Sequence, residues 1–205
     1  MRWVYLSEVD STQLYLLQLV KEGRVALPVG VWTECQRAGI GSRGRRWEGV
    51  CGNLFLSVAI RVGELPSIPS PSYSIYFGWL IKKIVERWRR GVVLKWPNDL
   101  YLLEGEKRGK VGGVLTHRIG EVVVVGIGLN TRRPVEEFPT LSLPVSNREV
   151  VERFGEVLKK PPDWKEVISQ FQEEFNESGH LLGVEGVLTA EGFLKVGEEL
   201  KFSNR

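Results

Sequence analysis

Residues 36–52 set the first limit on what this chain can become. Gly39, Gly41, Gly44, Gly49 and Gly52 alternate there with Arg37, Arg43, Arg45 and Arg46, and no apolar period of helix or strand survives. The segment reads as a surface loop, and a mobile one. Its flanks are regular. Upstream, Trp3–Leu6 reads as a first strand, and Asp10 or Ser11 can cap a helix in which Leu14, Leu17 and Val20 recur at helical spacing until Gly23. Val25–Cys35 has the β-branched content of a strand, and Asn53–Val62 resumes as one after the loop.

Past the prolines at 66, 69 and 71, Tyr73–Arg90 reads as a long amphipathic helix stopped by Gly91. Strand-like segments follow at Val92–Trp96, Leu100–Leu103, Lys110–Arg118 and Val122–Ile127, with a hairpin turn over Glu104–Gly109. Asn147–Lys159 and Asp163–Ser178 read as helices split by Pro161-Pro162, and Val184–Phe202 as a small β unit around Gly192 and Gly197. The order predicts an α+β fold: a mixed, mostly antiparallel sheet with helices on one side, spanning 1–180, and a β appendage over 181–205. So small an appendage should not be stable alone and is expected to pack against the rest.

With 42% hydrophobic residues in a chain of 205, a real core is affordable, and a net charge of +3 is not the profile of a dedicated nucleic-acid binder. Met1–Tyr5 is no apolar signal segment and no run approaches the roughly 18 apolar residues of a membrane span, so a soluble, cytoplasmic protein is expected. Cys35 and Cys51 have neither zinc-site spacing nor the density of a secreted scaffold, so no disulfide is expected. His117 and His180 are assigned to structure, and the pairs Glu136-Glu137 and Glu173-Glu174 to solvated faces.

Chemistry concentrates in a few places. In the loop, glycines let backbone N–H groups approach an anion, arginines bind phosphate oxygens bidentately, and Trp47 offers a face for stacking on a base. That suggests a nucleotide-phosphate clamp, without the endings of a Walker loop or the third glycine of a Rossmann fingerprint. A basic surface loop, or a weak nucleic-acid contact, is the competing reading. Lys95-Trp96-Pro97-Asn98-Asp99 is either a turn with local hydrogen bonds or a rigid turn presenting Asn98 and Asp99 to a site. In Lys110-Val111-Gly112-Gly113-Val114-Leu115, two glycines weaken a strand unless a ligand or another backbone comes close, and the lysine supplies charge for a carboxylate or α-phosphate. Gly126-Ile127-Gly128-Leu129-Asn130 ends a strand with small residues and an amide.

In order, Ser11-Thr12-Gln13, Gly39–Trp47, Gly52-Asn53-Leu54-Phe55-Leu56-Ser57, Lys95–Asp99, Lys110–Leu115 and Gly126–Asn130 resemble the catalytic domain of biotin–protein ligases, over roughly residues 1–145. The tail, with Gly183–Leu188 and Glu191–Leu194, resembles that family's small SH3-like C-terminal domain in abbreviated form. The resemblance implies the class II synthetase-like fold of lipoate and biotin ligases. It also implies two half-reactions, in which biotin and ATP give biotinyl-5′-AMP and a lysine of a biotin carboxyl carrier protein then takes the biotin. Magnesium would accompany ATP rather than sit in a protein-built metal site. The relatives that repress transcription carry a DNA-binding unit ahead of this domain, and with a first strand at Trp3 none is expected here, so DNA is not an expected partner. Homodimer and monomer both stay open.

By the same resemblance, Ser11, Thr12, Gln13 and Gln36 would hydrogen-bond the ureido ring of biotin, and Gly39, Gly112 and Gly113 would let the backbone approach it. Arg43, Arg45 and Arg46 would meet phosphates, Trp47 would pack near the adenine, and Asn98 and Asn130 would bind the nucleotide. Lys110 would bridge the biotin carboxylate and α-phosphate, and Asp99 would orient the acceptor lysine; these two, with Arg45, would be catalytic. One departure stands out: Ile40 and Ser42 occupy positions that are commonly arginine in the family. Faster loss of the adenylate is expected, read as single-turnover retention against Ser42→Arg; equal release rates would contradict it. A lipoate–protein ligase shares the fold, but its Arg-Arg-x-Ser-Gly-Gly-Gly loop is absent. A nucleic-acid-binding protein would leave the Lys110 motif unexplained, and the presence of Lys110, Asp99 and Asn130 speaks against an inactive remnant.

Overall fold

The computed structural model describes residues 1–104, 108–133, 135 and 138–202. Its centre is a seven-stranded sheet built from β1 (Arg2–Tyr5), β2 (Val29–Thr33), β5 (Leu54–Arg61), β6 (Val92–Lys95), β7 (Asp99–Leu102), β8 (Gly109–Ile119) and β9 (Val122–Leu129), in the order β1-β2-β5-β9-β8-β7-β6. Only β1 and β2 pair in parallel, joined through helix α1 (Thr12–Lys21); the other neighbours are antiparallel. The expected mixed, mostly antiparallel α+β fold is what forms.

The helices do not all lie on one side. Leu54, Leu56, Val58 and Ile60 of β5 and Val123, Val125, Ile127 and Leu129 of β9 face α2 (Tyr73–Val85), α3 (Asn147–Lys159) and α4 (Trp164–Ser178) in one large core. On the opposite face Ala59 and Val124, with Val29 and Val31, pack against Leu16 and Leu17 of α1. Burial on both faces is why β5 reads as an unbroken apolar run rather than an alternation. Since α1 is only ten residues long, part of this second face stays uncovered by helix, and that opening becomes the site.

Residues 36–52 are more regular than their composition suggests. Gly39–Ile40 (β3) and Arg46–Trp47 (β4) form a small antiparallel hairpin, Gly39 opposite Trp47 and Ile40 opposite Arg46, around a single 3-10 turn at Ser42–Gly44. Two-residue strands are too short to carry a readable period. The hairpin is tied at its base by a disulfide between Cys35 and Cys51, against the expectation from cysteine count. Pairing of β2 with β5 brings the two segments together just beyond Thr33 and Phe55, where Gly52 N–H also donates to the Glu34 carbonyl at 2.8 Å. A long-range pairing of this kind is invisible to residue spacing.

Helix α2 ends at Val85 rather than Arg90. On its flank Lys82, 5% exposed, is bonded to Glu86 and, at 2.6 Å, to Glu174 of α4. Glu174 therefore belongs to a buried ionic cluster, not a solvated face; it also accepts from Leu94 N–H at 2.9 Å. The pair Glu136-Glu137 lies outside the described residues, as does part of the turn expected over Glu104–Gly109.

The tail folds as a three-stranded antiparallel sheet, β10 (Val187–Leu188), β11 (Leu194–Val196) and β12 (Glu199–Lys201). Leu182, Val184, Leu188 and Leu194 join the main core. Three successive backbone carbonyls of its first turn are captured from below: Ala190 by Trp164 Nε1 at 3.0 Å, Glu191 by Ser72 Oγ, and Gly192 by Trp96 Nε1 at 3.0 Å. The fully buried Trp96 thus anchors the turn that precedes Asp99 to this sheet.

Candidate active site

The parity of β8 decides what faces the opening. Gly113 pairs with Gly128 and Leu115 with Gly126, all on the α1 side, while Gly112 and Val114 face the main core. Strict alternation would send Lys110 to the core with Gly112. A register shift intervenes: Leu100 pairs with Gly112 but Tyr101 with Lys110, so Val111 is an extra residue and its side chain is buried in the core. This bulge brings Lys110 back to the open face. There Nζ lies 2.8 Å from Asp99 Oδ1, each side chain about a quarter exposed.

The cavity above this face runs from the start of α1 to Lys110. At its near end Ser11 caps α1, its Oγ accepting from Leu14 N–H at 3.3 Å, and so presents its own O–H. Ser57 Oγ donates to Thr12 Oγ1 at 3.0 Å. Thr12 in turn donates to Gln36 Oε1 through N–H at 3.0 Å and through Oγ1 at 3.3 Å. With its oxygen doubly engaged, Gln36 is left with its amide nitrogen as a donor. Gln13 is oriented the other way: its nitrogen is bonded to the Val124 carbonyl at 3.1 Å, and its Oε1 is buried with no hydrogen-bond partner. A Cβ on Gly126 would come within 2.6 Å of that oxygen, so only glycine leaves it room.

Further along, the Trp47 indole lies flat on the glycine floor. A Cβ on Gly128 would fall 2.6 Å from the ring and one on Gly113 3.0 Å from it. Lys110 Nζ stands 5.2 Å from the ring centroid, and Trp47 Nε1 is a second buried polar atom without a partner. From the Gly126 row to the Lys110 row is four strand positions, about 13 Å at the usual rise. The slot therefore suits an elongated molecule with a hydrogen-bonding head and an anionic tail. Arg45 and Arg46 line it as well, and Arg45, Asn98 and Asp99 also line an adjoining groove. Asn98 is held by a double link to Val114, receiving its N–H at 2.8 Å and donating Nδ2 to its carbonyl at 2.9 Å.

Of the residues singled out from sequence, Ser11, Thr12, Gln13, Gln36, Arg45, Arg46, Trp47, Asn98, Asp99, Lys110 and Gly113 come together around the cavity. Others do not. Gly39 backs onto Gln36 and the Trp47 carbonyl, where a Cβ would clash. Gly112 faces Leu129 and Leu100 in the core. Arg43, in the left-handed region at φ 62°, lines only the adjoining groove. Asn130 is 5% exposed and holds the following segment, its carbonyl accepting from Leu141 N–H at 2.8 Å and Thr140 Oγ1 at 3.1 Å. Arg37 is paired with Glu8. Ile40 and Ser42 themselves line the cavity. Gly126, Gly128 and Phe55, which belonged to the singled-out motifs but were given no role of their own, also line the cavity; the alternation Gly126-Ile127-Gly128 puts both glycines on one face.

Residues 5–131 match the biotin/lipoate A/B protein ligase family. Over 140 residues the sequence is 35% identical to a bifunctional ligase/repressor of Salmonella typhimurium, a match covering 64% of this chain and 42% of that protein. The chain thus spans about two fifths of the length of the curated relatives it matches. The fold superimposes on the biotin acetyl coenzyme A carboxylase synthetase of Helicobacter pylori with bound biotinylated ATP, with a TM-score of 0.86, 30% identity and 98% of each chain covered. It superimposes on the biotin protein ligase of Aquifex aeolicus in complex with biotin and ATP with a TM-score of 0.71 and 25% identity, covering 98% of this chain and 94% of that one.

Proposed function

The chain belongs to the biotin/lipoate A/B protein ligase family, and from that premise we propose that it is an ATP-dependent biotin–protein ligase. The observation that carries this reading is the slot with a buried, unpartnered Gln13 acceptor at one end and the Lys110–Asp99 pair at the other. A ureido ring has N–H groups for Gln13 Oε1 and a carbonyl for the Ser11 hydroxyl and the Gln36 amide nitrogen. A carboxylate tail would then end beside Lys110. The dithiolane of lipoate has no N–H donor, so burying it there would leave Gln13 Oε1 unsatisfied at about 1–3 kcal/mol. The same observation therefore favours biotin over lipoate.

In the first step a biotin carboxylate oxygen attacks the α-phosphorus of ATP. The bond to the bridging oxygen breaks and pyrophosphate leaves, giving biotinyl-5′-AMP. Lys110 stabilises the negative charge gathering on the phosphoryl oxygens, with Arg45 and Arg46 beside it. Trp47 packs on the nucleotide side of the slot, and Asn98, shared by slot and groove, helps hold the nucleotide. Magnesium would accompany the triphosphate: among the described residues lining the slot Asp99 is the one carboxylate, and it is bonded to Lys110, so the phosphates would supply most of its ligands. In the second step a lysine amine attacks the acyl carbon and AMP leaves. Asp99 lines the groove as well as the slot, so an amine entering from the groove meets it first and can hand it a proton.

The partner in this reading is a biotin carboxyl carrier protein, met in the cytoplasm by a ligase acting as monomer or homodimer. Among the described residues no helix is long and apolar enough to cross a membrane. Intact-mass analysis of a carrier domain incubated with the protein, biotin and ATP checks the reading. One biotin on a single lysine is expected; an unmodified carrier would contradict it.

A further inference from the structure

Gln13 is 4% exposed, and both hydrogens of its amide nitrogen are committed. One goes to the Val124 carbonyl at 3.1 Å, the other to Nδ1 of His117 at 3.2 Å. That orientation is what leaves Oε1 buried, unpartnered and on the cavity side beside Gly126. The two acceptors agree only while Nδ1 carries a lone pair. A protonated imidazole presents N–H at Nδ1, and the amide nitrogen cannot face it. Gln13 must then either lose this partner or rotate, which turns its NH2 toward the cavity and sets its oxygen against the Val124 carbonyl, acceptor facing acceptor.

We propose that His117 is a positioning residue for ligand binding: neutral, it holds Gln13 with Oε1 ready to accept an N–H from the ligand; protonated, it sets Gln13 against that ligand. The inference rests on the ligase reading in one respect, that the N–H belongs to the ureido group of biotin. His117 had no role in the sequence beyond structure. It sits on β8 opposite Val124 of β9 and is an exposed residue, so protons reach it. Lys21 is the charged group that acts on it from α1. Arg118, the next residue, alternates to the other face and pairs with Glu121. Partial burial, and then Lys21, hold the imidazole below its usual pKa of 6.5. Binding is therefore at full strength above that value and weakens as pH falls through the lowered one. By reciprocity, bound ligand lowers the histidine's pKa further.

The test is calorimetric titration of the full chain with biotin from pH 5 to 8, alongside imidazole titration by NMR with a His180→Gln variant separating the two histidines. Affinity should fall about tenfold across the transition, the effect of turning one buried hydrogen bond into a mismatch. His117→Asn keeps an acceptor near the Nδ1 position that does not titrate, and should bind at every pH about as the wild type does at pH 8. A flat wild-type profile while His117 titrates would overturn this inference alone, as would an unchanged pH dependence in His117→Asn. Failure of the wild type to bind biotin at any pH would overturn the ligase reading and this inference with it.

Discussion

Lys110 Nζ meets Asp99 Oδ1 at 2.8 Å because β8 carries one residue more than β7 requires, at Val111. The extra residue goes into the core and turns the lysine out to the slot. Replacing Lys110 with alanine would remove the cation from the place where the proposed reaction gathers phosphoryl charge. Adenylate formation, followed by chromatography of labelled nucleotide, should drop by about 10²–10³-fold while the far-ultraviolet dichroism stays that of the wild type. Near-normal adenylate formation would remove Lys110 from the role given to it.

Two glycines of neighbouring strands should respond oppositely to the same substitution. An alanine at Gly112 would put its Cβ 2.6 Å from Leu129 Cδ2 and 2.9 Å from the Gly128 carbonyl, inside the core. It should cost about 1–3 kcal/mol of stability by overpacking. An alanine at Gly126 meets the end of the Gln13 side chain at 2.6 Å. It should leave the thermal midpoint nearly unchanged and weaken biotin binding at least about tenfold, the loss of one buried hydrogen bond. Urea titration and calorimetry on both variants give the comparison; equal effects on stability would undo the assignment of faces.

The cluster of Lys82, Glu86 and Glu174 predicts stability that falls at both extremes of pH. Burial alone would lower the Lys82 pKa, but Glu174 and Glu86 outweigh it and hold it above 10.5. Burial alone would raise Glu86, but Lys82 and Lys83 bring it below 4.5. The lysine's contribution is complete below 10.5 and is lost as pH rises through its raised value. The glutamate's contribution is complete above 4.5 and is lost as pH falls through its lowered value. Lys82→Met, which leaves two carboxylates facing each other, should cost about 3 kcal/mol near neutral pH. Its deficit should shrink in acid; a deficit independent of pH would contradict the ionic account.

The Cys35–Cys51 bond closes a segment with a sequence separation of 16 residues. Loop-closure entropy assigns such a link about 3 kcal/mol. The Cys35→Ser, Cys51→Ser double variant should unfold at correspondingly lower urea, and the wild type in excess dithiothreitol should unfold with it. Identical midpoints with and without reductant would show that the bond does not form in solution.

Much of the fold was legible from local pattern. Ser11 as helix cap, Asn147–Lys159 as a helix and the strand run from Val92 to Ile127 follow from capping and periodicity, which act within a few residues. What escaped depends on contacts far apart in sequence. Nothing in Leu16 and Leu17 says which face of the sheet they cover. The disulfide needs β2 beside β5. Glu174 looks solvated until α4 lies on α2. The site shows the same division. Its motifs named the right neighbourhood, but while alternation sets Gly113 apart from Gly112, only the bulge at Val111 brings Lys110 to the slot with Gly113. Asn130, at the end of the Gly126–Asn130 motif, spends its carbonyl holding Thr140 and Leu141.

The central claim is that the slot recognises a ureido head and activates its carboxylate with ATP. Acid-dependent exchange of labelled pyrophosphate into ATP, with biotin, lipoate and octanoate compared side by side, tests it most directly. Exchange should depend on biotin and stay near background with the other two acids; exchange driven by lipoate or octanoate, or by no acid at all, would contradict the account.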